Sequence, residues 1–80
     1  MKKILLSEYD ESMGIFIEIN ENYHNVVKNS IHIPYENLLI NYKELLDKSK
    51  KYYIYCKGGI KSRKVVNILS FYGYDVTLVY

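Results

Sequence analysis

The chain has 80 residues, of which 49% are hydrophobic, and this composition disfavours a disordered protein and predicts one small domain spanning residues 1–80. The formal net charge is only +2 and the basic residues are spread along the chain, which disfavours a nucleic-acid-binding protein. No apolar stretch is long enough for a signal peptide or a membrane span, so we expect a cytoplasmic protein that contacts neither nucleic acid nor a membrane.

The spacing of the apolar residues alternates along the chain between the period of a strand and that of a helix. Five strands are predicted, at residues 3–6, 15–19, 31–33, 52–56 and 76–80. One helix is predicted over residues 35–48, and a second is predicted to have Ser62 as its N-cap and to end at Gly73. Because strands and helices alternate, the strands are expected to pair in parallel with right-handed crossovers. The sequence therefore predicts an α/β fold with a mainly parallel sheet of about five strands.

The only cysteine, Cys56, lies at the end of the apolar run that is predicted to be the fourth strand. The carboxyl end of a strand is where ligands bind in α/β sheets. A single cysteine excludes an internal disulfide and dithiol redox chemistry within the chain. Cys56 is therefore either a small buried hydrophobic residue or a reactive nucleophile, and the residues that follow it favour the second.

A candidate anion-binding loop follows the cysteine and consists of Lys57, Gly58, Gly59, Ile60, Lys61 and Ser62. Two adjacent glycines allow backbone conformations that turn successive N–H groups towards one anion. Lysines on this loop and the start of a helix both favour a thiolate over a thiol. We therefore predict that Cys56 is the catalytic nucleophile, and that the amides of residues 57–62 stabilise negative charge at its sulfur.

The spacing within this loop resembles that of the rhodanese-like sulfurtransferases, in which the active-site cysteine precedes a glycine, a basic residue and a serine or threonine. The corresponding residues here are Cys56, Gly59, Lys61 and Ser62. Residues 30–35 and 71–76 resemble further segments of the same domains. The resemblance implies a small three-layer α/β/α domain, here a minimal one that lacks the usual C-terminal extension.

The chain departs from the pattern of that family at Glu18, Asn20 and Lys61, and it lacks the usual Gly-His pair, with Asn25-Val26 nearest. Family members usually carry Asp, one residue and Arg after the early strand, whereas this chain has Glu18, Ile19 and Asn20. We assign no catalytic role to Glu18 or Asn20 and expect structural hydrogen bonds from them. Lys61 stands where the last basic residue is commonly Arg, and a lysine lacks the fork that binds an oxyanion through two nitrogens. Weaker binding of an anionic donor is therefore expected.

The resemblance implies a sulfurtransferase that moves a sulfane sulfur from thiosulfate or a persulfide donor to a thiol or cyanide acceptor through a persulfide on Cys56. It implies a small sulfur donor and a thiol acceptor as partners, with a protein persulfide carrier as a further candidate. No cofactor and no metal is implied, and nothing in the sequence requires more than a monomer. The alternatives are a non-catalytic rhodanese-like domain with a binding or regulatory role, and an enzyme of the phosphatase or arsenate reductase type.

Loop length and histidine spacing bear on these alternatives. Phosphatase-type loops place an arginine where this chain has Ser62, and Arg63 comes one residue later, so a larger oxyanion ring is disfavoured. His24 and His32 lack metal-ligand spacing with Cys56. We expect His32 to lie half-buried on a strand, and nothing in the sequence supports a nucleophilic dyad of Cys56 with His24.

Overall fold

We describe the protein from a computed structural model that covers residues 1–80. Five strands form one sheet: β1 (Lys3–Ile4), β2 (Ile15–Glu18), β3 (Ile31–His32), β4 (Lys51–Tyr55) and β5 (Asp75–Val79). Helix α1 (Tyr35–Leu45) follows β3, helix α2 (Ile60–Phe71) follows β4, and two short 3₁₀ helices (Leu6–Glu8 and Glu11–Met13) lie between β1 and β2. All strand pairs are parallel, in the order β1-β5-β4-β2-β3. The predicted α/β fold with a five-stranded parallel sheet is confirmed.

The strand order places a crevice at the carboxyl ends of β2 and β4. After β2 the chain moves outward to β3 at the sheet edge, whereas after β4 it moves in the other direction to β5. With right-handed crossovers, these two connections leave the sheet on opposite faces. Ligands of open parallel sheets bind where the connections of neighbouring strands diverge in this way. The residues that follow β2 and those that follow β4 therefore meet at one crevice.

The hydrophobic core lies on the face of the sheet that carries both helices. Ile17, Ile54 and Leu78 are in register on adjacent strands, and each is at most 1% exposed. The helix residues in the same buried cluster are Leu38, Val65, Val66 and Leu69. Burial of such aliphatic side chains contributes roughly 1.5–3 kcal/mol for each one. This packing holds the amino end of α2 at the carboxyl end of β4.

The opposite face of the sheet is covered by the segment between β1 and β2. The Tyr9 ring centroid lies 4.9 Å from that of Phe16 and 5.2 Å from that of Tyr53, and the Tyr9 hydroxyl donates to the Gly14 carbonyl at 2.7 Å. Phe16 in turn lies 5.8 Å from Tyr55, again between ring centroids. A three-layer α/β/α arrangement was expected, with α-helices on both faces of the sheet. On this face the outer layer consists of 3₁₀ helices and packed aromatic rings instead.

Helix α1 ends three residues before the predicted boundary at residue 48, at Leu45. The cause is a local turn at Asp47, whose carboxylate accepts hydrogen bonds from the amide and the hydroxyl of Ser49 at 2.8 and 2.7 Å. Such a side chain offers the backbone an alternative to continued helix. β1 is also shorter than predicted, because Leu6 begins a 3₁₀ helix. Neither helix is long and apolar enough to cross a membrane.

Helix α2 begins earlier than predicted, at Ile60, and its N-cap is Gly59 rather than Ser62. Gly59 has a φ of 79°, a left-handed conformation that ends the connection from β4 and starts the helix. The prediction that Ser62 caps the helix is therefore wrong, and Ser62 lies inside the first turn. The predicted end at Gly73 is confirmed, because Gly73 has a φ of 91° and follows the last turn of the helix.

Candidate active site

Cys56 is the first residue after β4, at the carboxyl edge of the sheet. It is only 5% exposed and belongs to the same buried cluster as Ile54. It also lines a cleft of about 260 Å³ in the crevice between the ends of β2 and β4. The other residues that line this cleft are Asn20, Glu21, Gly58, Ile60 and Lys61. Cys56 is thus anchored in the core and reaches a cleft of small-molecule size, which we call the sulfur cleft.

Three hydrogen-bonding groups converge on the sulfur of Cys56. The amide N–H groups of Gly59 and Ser62 donate to Sγ, at 3.2 and 3.3 Å. The Oγ atom of Ser62 lies 3.2 Å from the same Sγ and also 3.2 Å from the Gly59 carbonyl oxygen. Ser62 is fully buried, so water does not compete for its hydroxyl. The early start of α2 is what brings these groups to the sulfur.

The Ser62 hydroxyl is compatible with both protonation states of Cys56, because a hydroxyl can donate one hydrogen bond and accept others. When Cys56 is a thiol, its S–H donates to Oγ and the hydroxyl donates to the Gly59 carbonyl. When Cys56 is a thiolate, the hydroxyl hydrogen can turn from the Gly59 carbonyl to Sγ, because Oγ lies 3.2 Å from both acceptors. The thiolate then accepts three hydrogen bonds, and hydrogen bonds to an ionised group are roughly twice as strong as neutral ones. The geometry of the site thus offers three hydrogen bonds to a negatively charged sulfur.

Three residues that line the cleft with Cys56 have backbone N–H groups without an acceptor in the protein. The amides of Gly58, Ile60 and Lys61 make no backbone or side-chain hydrogen bond, as expected for residues at the start of a helix. All three residues line the sulfur cleft, and the first turn of α2 contains no acidic residue. The positive end of the helix dipole is therefore available to an anion in the cleft.

One of the N–H groups predicted to face the sulfur, that of Lys57, bonds to a different acceptor. The amide of Lys57 does not contribute to the ring of N–H groups around the sulfur, because it donates to Oδ1 of Asn20 at 3.0 Å. The expectation that all amides of residues 57–62 serve the anion is therefore wrong at Lys57. Its amide ties the loop after β4 to the loop after β2, and its side chain is exposed.

A cysteine held by the amides of a strand-to-helix loop is the arrangement that the loop spacing predicted. A family model for the rhodanese-like domain matches residues 7–80. The chain belongs to the rhodanese-like domain family. No curated protein sequence gives a significant match.

Solved structures with the rhodanese-like fold cover almost the whole chain. A rhodanese-related protein from Thermoplasma volcanium aligns with a TM-score of 0.86 and 26% identity, over 99% of this chain and 83% of that one. The reduced CoADR-RHD protein of Bacillus anthracis aligns with a TM-score of 0.84 and 27% identity, over 98% of this chain and 15% of that one. An NAD-dependent persulfide reductase from A. fulgidus shares the fold, with a TM-score of 0.78 and 22% identity over 98% of this chain and 14% of that one.

The departure of this rhodanese-like domain at Glu18 and Asn20 has a structural explanation. The Glu18 side chain is fully buried, and its carboxylate accepts hydrogen bonds from the amides of His24 and Asn25 at 2.7 and 3.1 Å and from Nδ2 of Asn20 at 3.0 Å. Three donors compensate the burial of the carboxylate. Asn20, oriented in this way, presents Oδ1 to the Lys57 amide. The predicted structural hydrogen bonds of Glu18 and Asn20 are confirmed. Asn20 also lines the sulfur cleft, which its position in the sequence did not indicate.

The histidines of the domain do not contact the sulfur. Nε2 of His32 lies 2.6 Å from the Asn20 carbonyl oxygen, and its ring stacks on that of Tyr23 with centroids 5.1 Å apart. His32 is half-buried on β3, as predicted, and His24 is exposed. The hydrogen-bond partners of Sγ are Gly59 and Ser62 alone. No three metal-ligating side chains lie close enough together to hold an ion.

A larger cleft of about 450 Å³ lies at the opposite ends of the strands from Cys56. It is lined by Ile15 and Ile31, which are the first residues of β2 and β3. Tyr9 lines it, and burial, followed by the nearby charges of Glu11 and Asp10, raises the pKa of its hydroxyl. The Tyr9 hydroxyl is already bonded to a backbone carbonyl, and none of the predicted site residues reaches this cleft. The sulfur cleft is therefore the candidate active site.

Proposed function

We propose that this rhodanese-like domain is a sulfurtransferase that carries a sulfane sulfur as a persulfide on Cys56. The observation that carries the proposal is the convergence of the Gly59 amide, the Ser62 amide and the Ser62 hydroxyl on Sγ, at 3.2, 3.3 and 3.2 Å. This arrangement favours a thiolate nucleophile. Rhodanese-like domains occur in sulfurtransferases and in persulfide-related proteins, which supports the assignment.

In the loading step, the Cys56 thiolate attacks the sulfane sulfur of the donor. With thiosulfate, a bond forms between Sγ and the outer sulfur while the sulfur–sulfur bond of thiosulfate breaks, and its electron pair leaves with sulfite. No proton is transferred and no outside oxidant is needed, so a site without a paired general base suffices. The free N–H groups of Gly58, Ile60 and Lys61 line the cleft and are suited to bind the terminal sulfur anion of the persulfide.

In the unloading step, an acceptor thiolate or cyanide attacks the terminal sulfur. The new bond forms to that sulfur, and the electron pair of the persulfide bond returns to Sγ and regenerates the Cys56 thiolate. The products are an acceptor persulfide or thiocyanate. We propose a small sulfur donor and a thiol acceptor as the partners of a monomeric enzyme, with a protein persulfide carrier among the candidate acceptors.

Intact-protein mass spectrometry tests the loading step. Reduced protein treated with thiosulfate, or with a low-molecular-weight persulfide, is expected to gain the mass of one sulfur atom. Cyanide is expected to remove that mass and to release an equal amount of thiocyanate. Cys56→Ser is expected to gain nothing, whereas Lys64→Ala, which changes an exposed residue of α2 outside the cleft, is expected to load like the wild type.

Two outcomes contradict this proposal. The first is a Cys56→Ser variant that acquires the same cyanide-labile sulfur. The second is a folded wild-type protein that acquires none from either donor, which would favour the non-catalytic binding domain instead. Hydrolysis of an aryl phosphate would favour the phosphatase alternative, and none is expected, because Arg63 is exposed and does not line the cleft.

A further inference from the structure

The ammonium group of Lys61 lies over the ring of Tyr35, with Nζ 5.5 Å from the ring centroid. A cation at this distance from an aromatic face is attracted by the electrons of the ring. Lys61 has no carboxylate partner, since the one salt bridge of the protein joins Lys2 and Asp75. The Tyr35 ring is therefore the one side chain with which the Lys61 ammonium interacts in the structure.

Tyr35 is itself held firmly. It is the first residue of α1 and follows Pro34, whose ring restricts the backbone there. Its amide donates to the carbonyl of Ile19 at 3.1 Å, and its side chain packs half-buried against the hydrophobic core. A long lysine side chain is flexible by contrast and loses conformational freedom when it is fixed. A ring anchored in the core thus gives Lys61 a preferred position.

That position matters because Lys61 lines the sulfur cleft together with Cys56. The other charged side chain that lines the cleft is Glu21, whose negative charge opposes an anionic donor. Lys57, on the same loop, is exposed and does not line the cleft. Lys61 is therefore the cation that can offset Glu21, and an ammonium free to move away into solvent would do so less well.

We propose that Tyr35 is a positioning residue that holds Lys61 beside the sulfur cleft and thereby sets the preference of the site for anionic over neutral reagents. This inference rests on the proposed function for its biological meaning, because anionic sulfur donors are the reagents that would benefit. Tyr35 acts through Lys61 and is not among the residues that line the cleft.

Alkylation of Cys56 with two reagents tests the inference without relying on sulfur transfer. Iodoacetate is anionic and iodoacetamide is neutral, and with each the Cys56 thiolate displaces iodide and forms a bond from Sγ to carbon. The rate with iodoacetate is divided by the rate with iodoacetamide, and this ratio is then divided by the same ratio for a free thiol such as N-acetylcysteine amide. The normalised ratio reports how strongly the site favours an anionic reagent over a neutral one. Lys61→Gln is expected to lower this normalised ratio, and Tyr35→Leu is expected to lower it about two- to fivefold.

Matched variants separate positioning from folding. Tyr35→Phe retains the ring and is expected to keep the wild-type ratio. Lys64→Gln removes an exposed lysine of the same helix that does not line the cleft, and no change is expected. In a Lys61→Gln background, Tyr35→Leu is expected to have no further effect on the ratio, because its influence passes through the ammonium.

The inference is overturned if Tyr35→Leu lowers the normalised ratio as much in the Lys61→Gln background as in the wild type. It is also overturned if Tyr35→Leu lowers the two alkylation rates equally, or if Lys61→Gln leaves the ratio unchanged. In a protein that transfers sulfur, Tyr35→Leu is further expected to raise the KM for thiosulfate about two- to fivefold with little change in kcat. A wild type that loads no sulfur would contradict the proposed function, while the alkylation ratio would still decide the role of Tyr35.

Discussion

The two helices of the protein begin in similar places but present different chemistry. Each follows a strand at the carboxyl edge of the sheet, and neither has a side-chain hydrogen bond at its N-cap. At α1, Glu36 puts a negative charge in the first turn, and the first amide is bonded to a carbonyl of a neighbouring segment. At α2, Lys61 and Arg63 put positive charges near the free amides.

This difference shows which helix end is built for a ligand. A negative side chain near a helix N-terminus stabilises the helix by about 0.3–1 kcal/mol, and positive side chains there have the opposite effect. The amino end of α1 is therefore complemented within the chain by Glu36. The amino end of α2 is complemented only when negative charge resides on Cys56 or in the sulfur cleft. The unfavourable charges at α2 are thus consistent with a site that binds and forms anions.

The largest expected effect comes from removing the hydroxyl of Ser62, which lies in the first turn of α2 and has no counterpart at the equivalent position of α1. Ser62→Ala deletes the hydroxyl, whose Oγ lies 3.2 Å from Sγ, and leaves the two amides in place. A hydrogen bond to a charged group is worth roughly 1.5–3 kcal/mol, so alkylation of Cys56 at neutral pH is expected to slow about tenfold or more. Stopped-flow alkylation with iodoacetamide measures this rate.

The control uses the equivalent position of α1. Asn37 is the third residue of α1, as Ser62 is of α2, and it is exposed. Asn37→Ala is expected to leave the alkylation rate unchanged. A rate for Ser62→Ala that equals the wild-type rate would show that the hydroxyl does not stabilise the thiolate.

The next effect concerns the backbone that turns the α2 amides towards the sulfur. Gly59→Ala places a side chain at a φ of 79°, where no atom lies within 4 Å of the added Cβ, so its cost is conformational. We expect a loss of about 1–2 kcal/mol in the free energy of unfolding, together with slower sulfur loading. Gly58→Ala is the matched control, because the added Cβ also meets open space and the φ of Gly58 is not in the left-handed region. We expect this variant to change the free energy of unfolding by less than about 0.5 kcal/mol. Equal costs in urea denaturation would contradict this account of Gly59.

A smaller effect tests the charges directly. Glu36→Gln is expected to lower the free energy of unfolding, and Arg63→Gln to raise it, each by about 0.3–1 kcal/mol at low ionic strength. Both side chains are exposed, so salt is expected to shrink both differences. Urea denaturation at low and high salt measures them. Changes of the same sign in the two variants would refute the contrast drawn between the helices.

The smallest expected effect lies at the opposite end of α1. Hydrogen bonds from the amide and then the hydroxyl of Ser49 hold the pKa of Asp47 below its ordinary value. Because the pKa is lowered in the folded state, the carboxylate contributes stability at neutral pH, and this contribution is lost as the pH falls through the lowered pKa. The difference in stability between the wild type and Asp47→Asn is therefore expected to shrink as the solution is acidified. A difference that stays constant across that range would contradict it.

Much of the fold could be predicted because local patterns and tertiary packing agree. The apolar run before Cys56 is a central strand, and Gly73 ends α2 as its conformational freedom predicts. The error at Ser62 arose because serine is a common N-cap, whereas here a left-handed Gly59 starts the helix and the Ser62 side chain contacts the sulfur from inside the first turn. Local propensity alone does not rank these two starts, and the buried contact of Ser62 with Cys56 favours the second.

The roles of residues distant in sequence were harder to predict. Asn20 meets Lys57 only because β2 and β4 are neighbours in the sheet, although 37 positions separate them. Glu18 was expected to make structural hydrogen bonds, and it does, but its burial and its three donors follow from the fold of the loop after β2. Nothing in the sequence around Tyr35 signals a contact with Lys61, because that contact joins the starts of two different helices.

The sequence by itself determined the alternation of strands and helices, the position of the sole thiol at a strand end, and the glycines and lysines that follow it. These features depend on side-chain size, charge and backbone freedom, which act over a few residues. Only the tertiary structure decided which amides face Cys56, which residues of the β2 loop line the cleft, and what holds Lys61. Those outcomes depend on the strand order and on core packing, which bring together groups that no local rule connects.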